Sequence, residues 1–568
     1  MAKKRIIVDP VTRIEGHLKI EVETEDGKIT DAWSTGTLWR GVEKILKGKD
    51  SRDAWQTVLR ICGVCTVSQG ISSVRAVENA LEMKIPLNAQ YIRNIMMGSH
   101  TIVDNMIHFY IFCGLDWFDI ESAAFKASPT RAAALAQSYS SWKDNSVQDM
   151  KKTQVKLQKL LNSGQLGIFS DGYSGHSDMQ LPPEANLILA THYFQSLDYQ
   201  RIANKIVTIL GSKTPHIQNL AVGGVANPIN PDSAAVLTIE RLQYVKKLID
   251  DLEDFINQTY NSDVALLAAY YPEWSEIGKG QGNFLAHPEF PLDEASDDCY
   301  IPGGYIEGRD FSTFRKITSL NDKYIEENVL ESVKHSYFKG DAIQSPYNLG
   351  DLEPAYDPNN KAKYSWVKSP YFKNKTAEPG PTASVYAMHL SGFQPCIDVT
   401  NKVFKTIKKL GGGEYTLEKL DSTIGRLVAK SIRVSVMQST IAKQWDLLIE
   451  NIQRGDFTTF YKPTFPKGEI RGMGMHEAPR GALVHWARVK DGNIESYEAT
   501  IPTTWLAAPR GHNGEYGAYE YALIGTKVAD PKRPLEIVRI IHSYDPCMAC
   551  SAHILSPDGD SYTKVKIQ

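Results

Sequence analysis

Arg60-Ile61-Cys62-Gly63-Val64-Cys65 and Asp545-Pro546-Cys547-Met548-Ala549-Cys550-Ser551-Ala552-His553 each carry a pair of cysteines two residues apart. That spacing lets both sulfurs turn toward one metal, and thiolates are soft ligands that a metal keeps deprotonated. Four thiolates suit zinc, an iron–sulfur cluster or nickel. Structural zinc sites usually draw their pairs from within a few tens of residues. Here 482 positions separate Cys65 from Cys547, which favours a site deep in a large protein. If both pairs serve one site, the ends of the chain must meet. The 568 residues then read as one interleaved unit, although length alone would allow about four domains.

Outward from these stretches, residues 5–8 and 17–23 read as strands, with a turn at Asp26-Gly27. Residues 39–80 read as helical around the first cysteine pair. Long amphipathic helices are predicted near 88–113, 132–161, 183–210, 233–270 and 418–452. In the fourth, Val236, Ile239, Leu242, Val245, Leu248, Ile249, Leu252, Phe255 and Ile256 recur for the most part at helical spacing, with Pro231-Asp232-Ser233 as the start signal. Residues 272–315 and 340–385 are rich in Gly, Pro, Asn and Asp and read as irregular surface structure. Residues 482–490 and 493–500 read as a strand pair joined at Asp491-Gly492.

Composition narrows the function classes. A net charge of -3 gives no basic surface for nucleic acid. There is no apolar run long enough to span a membrane. The opening MAKKRIIVDP has no apolar core, so the chain is expected to carry no export signal of its own. Seven cysteines, an odd count, argue against a disulfide framework, and Cys113, Cys299 and Cys396 read as small buried hydrophobes.

The two cysteine motifs, together with Val8-Asp9-Pro10-Val11-Thr12-Arg13-Ile14-Glu15-Gly16-His17, Arg40-Gly41-Val42-Glu43, Leu181-Pro182-Pro183-Glu184-Ala185-Asn186-Leu187, Glu477-Ala478-Pro479-Arg480-Gly481-Ala482-Leu483 and Gly517-Ala518-Tyr519-Glu520, resemble the large subunit of nickel–iron hydrogenases, nearest the respiratory uptake type. The resemblance runs in order from about residue 5 to the end. It implies a mixed α+β, helix-rich fold: a core of long helices, with smaller α/β parts formed by the interleaved N- and C-terminal ends. It also implies heterolytic oxidation of H2 at a nickel–iron centre whose iron carries cyanide and carbon monoxide.

Residue by residue, the resemblance makes Cys62 and Cys547 terminal nickel ligands and makes Cys65 and Cys550 bridges to iron. Glu15 matches the proton-relay glutamate. Arg480, after Pro479, matches an arginine over the open face of the metals, held by Asp104 and Asp545, and Thr503 matches a donor to cyanide. Glu43, the Ala499 carbonyl and His553 match the ligands of a magnesium-type ion. Imidazole on magnesium is unusual, so this ligand set rests on the resemblance alone.

Two departures stand out. Gln69 occupies a position where the family usually has His. Hydrogen-sensing relatives also carry Gln there, so a regulatory sensor is the alternative reading. Val103, Asn105, Ile111 and Cys113 replace further histidines near Asp104, although His108 remains.

The expected partners are an iron–sulfur small subunit, a membrane cytochrome b, metal-insertion proteins and a maturation endopeptidase. The only clusters of iron and sulfur would lie in the small subunit, because no cysteines here remain in cluster spacing. The expected location is the outer, periplasmic face of the bacterial cytoplasmic membrane, reached by co-export with the small subunit. Residues 1–553 are expected to form one interleaved domain. Residues 554–568, which follow His553 with charged groups, are expected to be a propeptide removed after metal insertion, since burying them beside the site would be costly.

Overall fold

The computed structural model describes residues 4–170, 172–230, 233 and 236–551. At its centre helix Thr423–Gln453 packs on helix Leu87–Ile107, which packs in turn on helix Pro183–Gly211. Every residue from Asn88 to Met106 is buried, as in a helix enclosed by others. Charged groups inside this core are paired, because an unpaired buried charge is costly. Arg93 reaches Glu78 at 2.7 Å, for example. Ser422 starts the longest helix by accepting the Gly425 N–H at 2.9 Å.

The two ends of the chain interleave. Strands Lys4–Val8, Leu18–Glu25 and Lys28–Gly36 form an antiparallel meander. The turn at Asp26-Gly27 has positive φ at both residues, as a tight hairpin requires. The C-terminal region bonds to the outer strand: Ile29 N–H donates to Thr526 O at 2.9 Å, and Gly525 N–H donates to Ile29 O at 2.8 Å. Glu15 and Cys547 pair as a parallel bridge. Sequence positions more than 500 apart therefore share one wall, as two cysteine pairs serving one site require.

A second antiparallel sheet, Glu469–Ala478, Gly481–Lys490 and Asn493–Thr500, lies against helix Thr66–Ala80. The contact is close: a Cβ on Gly474 would sit 1.8 Å from the Ser72 carbonyl oxygen. Strand Glu469–Ala478 escaped the sequence reading because its last seven residues are all buried, which removes the alternation that marks a half-exposed strand.

The structure corrects three further expectations. The helix expected over 132–161 is two, Pro129–Tyr139 and Val147–Ser163. Ser140, Ser141, Asp144, Asn145 and Ser146 lie between them, and such side chains compete with helical hydrogen bonds. Ser140 Oγ bonds to Gln258 O, and Ser146 caps the second helix. The helix expected from 233 starts at Ile239, capped by Thr238, and passes through a π turn before ending at Tyr270. Pro231 and Asp232 lie outside the described residues.

Residues 272–315 and 340–385 are not simply irregular surface. They contribute strands Phe284–Ala286, Gly303–Glu307 and Asp310–Ile317, and the buried helix Pro381–Leu390. Short strands punctuated by Gly and Pro leave little periodicity to read, and the proline opening that helix fits its first turn. Among the described residues no helix is long and apolar enough to cross a membrane.

Candidate metal centre

Cys62 leaves the short turn Leu59–Ile61 in extended backbone, and Cys65 caps helix Thr66–Ala80. Cys547 and Cys550 flank the start and middle of the short helix Met548–Ser551. The four sulfurs converge. Cys62 lies 3.2 Å from Cys547, Cys547 lies 2.9 Å from Cys550, and Cys550 lies 3.0 Å from Cys65. All four are buried and none is in a disulfide.

The backbone N–H groups of Val64 and Cys65 both donate to Cys62 Sγ at 3.2 Å and fix its position. Burial pushes the thiols of Cys547 and Cys550 up, while the neighbouring sulfurs hold Cys65 down. Four thiolates cannot share so small and dry a space without a cation to neutralise them. The donor set therefore fits a thiophilic metal centre. It is also the group of metal-capable side chains that stands out among the described residues.

Arg480 sits at the two-residue tip between strands Glu469–Ala478 and Gly481–Lys490. Gly481 follows with φ +124, and a Cβ there would meet the Gly380 nitrogen at 2.4 Å, so only glycine lets the hairpin close. Pro479 is fixed through its carbonyl, which accepts from Arg433 at 3.2 Å. The Arg480 guanidinium forks onto Asp104 at 2.7 and 2.9 Å and contacts the Asp545 carboxylate at 2.9 Å. Lys430 donates to the other Asp545 oxygen at 2.6 Å. Burial opposes the charge on Asp545, but Arg480, His108 and Lys430 outweigh it and hold the group below the usual carboxylate range.

The arginine is thus a clamped, permanent cation. Its two aspartate contacts need a planar fork, which an ammonium cannot supply. Arg480→Lys is expected to retain nickel yet lower turnover by about 10²–10³-fold, the typical cost of losing one aligned donor. Metal analysis beside a hydrogen-uptake assay checks this.

Thr503 Oγ1 accepts the Cys547 N–H at 3.2 Å, which leaves its hydroxyl proton available. Glu15 is half-buried beside the sulfurs. Its Oε2 accepts the Ala549 N–H at 3.0 Å and lies 3.4 Å from Cys547 Sγ. Its carbonyl accepts the Met548 N–H at 2.7 Å. Burial, then the charge of Cys62, raise its pKa to about 7, so near neutrality it can both take and release a proton.

Glu43 is half-buried, and its Oε2 is shielded from solvent with no hydrogen-bond partner. It lines a small cavity with Ala499, Glu498 and Lys368, where Lys368 is paired with Glu498. Burial, then Glu498, push the Glu43 pKa up to about 7. Burial and Glu498 push Glu331, which faces the same cluster, to about 8. His553 lies outside the described residues.

Sequence reasoning missed Lys430, Lys368, Glu331 and Glu498. Lys430 did leave a signal: it and Arg433 are two charges within the otherwise mostly apolar buried run from Leu427 to Val434. Cys113, Cys299 and Cys396 are buried thiols away from the cluster, as expected of small hydrophobes.

With this geometry in place, comparison with known proteins gives the class. The model of the family "Nickel-dependent hydrogenase" matches residues 40–553, and a HoxL-like model matches residues 5–34. The chain belongs to the nickel-dependent hydrogenase family, as a large subunit. It is 50% identical over 566 residues to the hydrogenase-2 large chain of Escherichia coli (strain K12), covering 99% of this chain and 100% of that one. It is 41% identical to the uptake hydrogenase large subunit of Rhizobium leguminosarum bv. viciae, covering 100% and 98%. The reduced Ni-Fe-Se hydrogenase of Desulfovibrio vulgaris Hildenborough superposes with a TM-score of 0.76 at 28% identity, covering 97% of this chain and 100% of that one. The chain is an enzyme that oxidises H2 at a nickel–iron site and pairs with a small subunit. Nothing in these relatives favours the sensor alternative.

Proposed function

We propose that Cys62, Cys65, Cys547 and Cys550 hold the nickel–iron centre, with Cys65 and Cys550 as the bridging pair and cyanide and carbon monoxide on the iron. The observation that carries this is the convergence of four buried, unpaired sulfurs from both ends of the chain. The bound centre supplies heterolytic cleavage of H2. Glu15 takes the proton from the sulfur side and passes it outward. Arg480, clamped by Asp104 and Asp545, fixes a positive charge and directed N–H donors over the open face, with Pro479 setting the backbone and Thr503 offering a second donor. H2-driven dye reduction by the purified two-subunit enzyme tests the activity; slow turnover at full nickel loading would instead favour the sensor.

Electrons are assigned to iron–sulfur clusters in the small subunit, then to a membrane cytochrome b at the periplasmic face, reached by co-export. Glu43 and the Ala499 carbonyl, with His553, are assigned to a magnesium-type ion. Half-buried Glu43 and the buried carboxylates of Glu331 and Glu498 surround one buried Lys368, and this surplus of negative charge suits a hard divalent cation.

Residues 1–553 are read as one interleaved domain. Residues 554–568 are read as a propeptide cut after metal-insertion proteins have loaded the site, which accords with a family match ending at residue 553. Intact mass of the active enzyme is expected to show loss of residues 554–568; an active, nickel-loaded chain retaining Gln568 would contradict that.

Gln69 Nε2 lies 3.7 Å from both Cys65 Sγ and Cys550 Sγ. Gln69→His keeps a donor beside the sulfurs and adds a titratable ring. It is expected to retain nickel while changing the pH profile or oxygen response of H2 oxidation; metal loss would mean that Gln69 is needed for packing.

A further inference from the structure

The amide of Gln69 heads a chain of buried hydrogen-bonding groups that the roles assigned above do not use and that leads back to the same helix. Its oxygen lies 2.8 Å from His485 Nε2. His485 Nδ1 lies 2.6 Å from Tyr497 Oη, which lies 2.9 Å from Ser73 Oγ. Ser73 is one helical turn beyond Gln69 on helix Thr66–Ala80. His485 and Tyr497 come from the adjacent strands Gly481–Lys490 and Asn493–Thr500, with their rings edge to face at 5.6 Å. Exposure is 1% at Gln69, 0% at His485, 2% at Tyr497 and 1% at Ser73. Water therefore does not compete for these bonds, and each member must satisfy the next.

The donors and acceptors along these groups can run in only two consistent ways. An amide turned with its oxygen toward the sulfurs would set lone pairs against thiolates, which is repulsive. An amide turned with its NH2 toward them offers two hydrogens to two sulfurs. The second arrangement requires a donor at the amide oxygen, since a carbonyl oxygen only accepts. His485 meets that need if Nε2 carries its proton; Tyr497 then gives its one hydroxyl proton to the bare Nδ1 and accepts from the Ser73 hydroxyl, whereas Tyr497 donating to Ser73 would put the ring proton on Nδ1 and leave the amide oxygen without a donor. Burial pushes the His485 pKa down to about 3, so the ring holds a single proton and the tautomer is a real choice.

We propose that His485 is a positioning residue for the metal centre: by donating to the Gln69 amide oxygen it keeps the amide NH2 on the sulfurs of Cys65 and Cys550, with Tyr497 selecting the tautomer that does so. The inference rests on reading those two cysteines as the bridging ligands. Hydrogen bonds to a ligating sulfur draw charge from it and raise the reduction potential of the metals it serves. His485 thereby acts on the centre through Gln69 without touching it.

The test uses the two-subunit enzyme, with nickel and iron analysis alongside a redox titration followed by electron paramagnetic resonance. His485→Leu is expected to keep both metals and to shift the oxidised-to-reduced equilibrium about tenfold toward the oxidised form, equivalent to ~60 mV for a one-electron step. His485→Gln, whose amide can donate to Gln69 from nearly the same place, is expected to restore the parent value to within about threefold, a residual well under the effect of a lost charge-assisted bond. Tyr497→Phe is expected to keep the metals and shift the equilibrium in the same direction by a smaller factor.

A parent-like potential in His485→Leu with full metal, or an equal shift in His485→Gln, would overturn the proposal. If His485→Leu loses nickel, Tyr497→Phe decides, and an unmoved potential there overturns it. Loss of nickel from all three variants would also overturn it, showing these groups to be structural. A parent enzyme without nickel would instead sink the assignment of the cysteines.

Discussion

Glu15→Gln is expected to leave nickel and iron in place while H2 oxidation and hydrogen–deuterium exchange with solvent fall by about 10²–10⁴-fold, the usual share of a positioned proton acceptor. Glutamine keeps the size of the side chain. It also keeps an oxygen that can accept the Ala549 N–H, now at 3.0 Å from Glu15 Oε2, so the backbone pairing of residue 15 with Cys547 should survive. What is lost is the group beside the sulfurs whose pKa lies at about 7. The sign of the pH dependence follows. H2 oxidation needs the carboxylate as acceptor, so in the parent it should decline as pH falls through about 7, where Glu15 becomes protonated. In Glu15→Gln that limb should be absent from the residual activity. Unchanged exchange in the variant would mean that protons leave by another route.

Cys547→Ser is expected to bring nickel close to background and abolish activity. A hydroxyl is a hard, weakly acidic donor and does not replace a soft thiolate. Cys547 is also the sulfur nearest both Cys62, at 3.2 Å, and Cys550, at 2.9 Å. Its N–H is held by Thr503 and its neighbour Met548 by Glu15, so the backbone should remain folded in the variant. Full activity in Cys547→Ser would remove the cysteine from the site.

The parts of this molecule that were legible in the sequence are those with short-range signatures. The cysteine pairs announce themselves by spacing. The long helices show as apolar periodicity, most plainly from Leu242 to Ile256. The hairpin 481–500 shows through Asp491-Gly492, although its register extends one residue further back, to Gly481. The residues that hold Arg480 were readable only in part. Asp104 and Asp545 matched family positions, but the pairing of Lys430 with Asp545 depends on a contact across 115 positions, which no local pattern encodes.

Burial hid other features. Residues 472–478 and 381–388 are buried throughout, so neither run shows the contrast between wet and dry faces on which periodicity depends. The hydrogen-bonded chain joining Gln69 to His485 and Tyr497 was equally silent. Gln69 could be marked as a departure from the usual histidine, but its partners stand 416 and more positions away. They are ordinary strand residues until the sheet is laid on helix Thr66–Ala80.

Four cysteines from opposite ends of the chain are proposed to enclose a nickel–iron centre. Elemental analysis of the purified two-subunit enzyme tests it most directly, with X-ray absorption at the nickel edge to identify the ligands. Nickel is expected in the large subunit, with sulfur as its nearest neighbours and an iron close by. Zinc alone in the large subunit, or nickel bound by nitrogen and oxygen without sulfur, would contradict it.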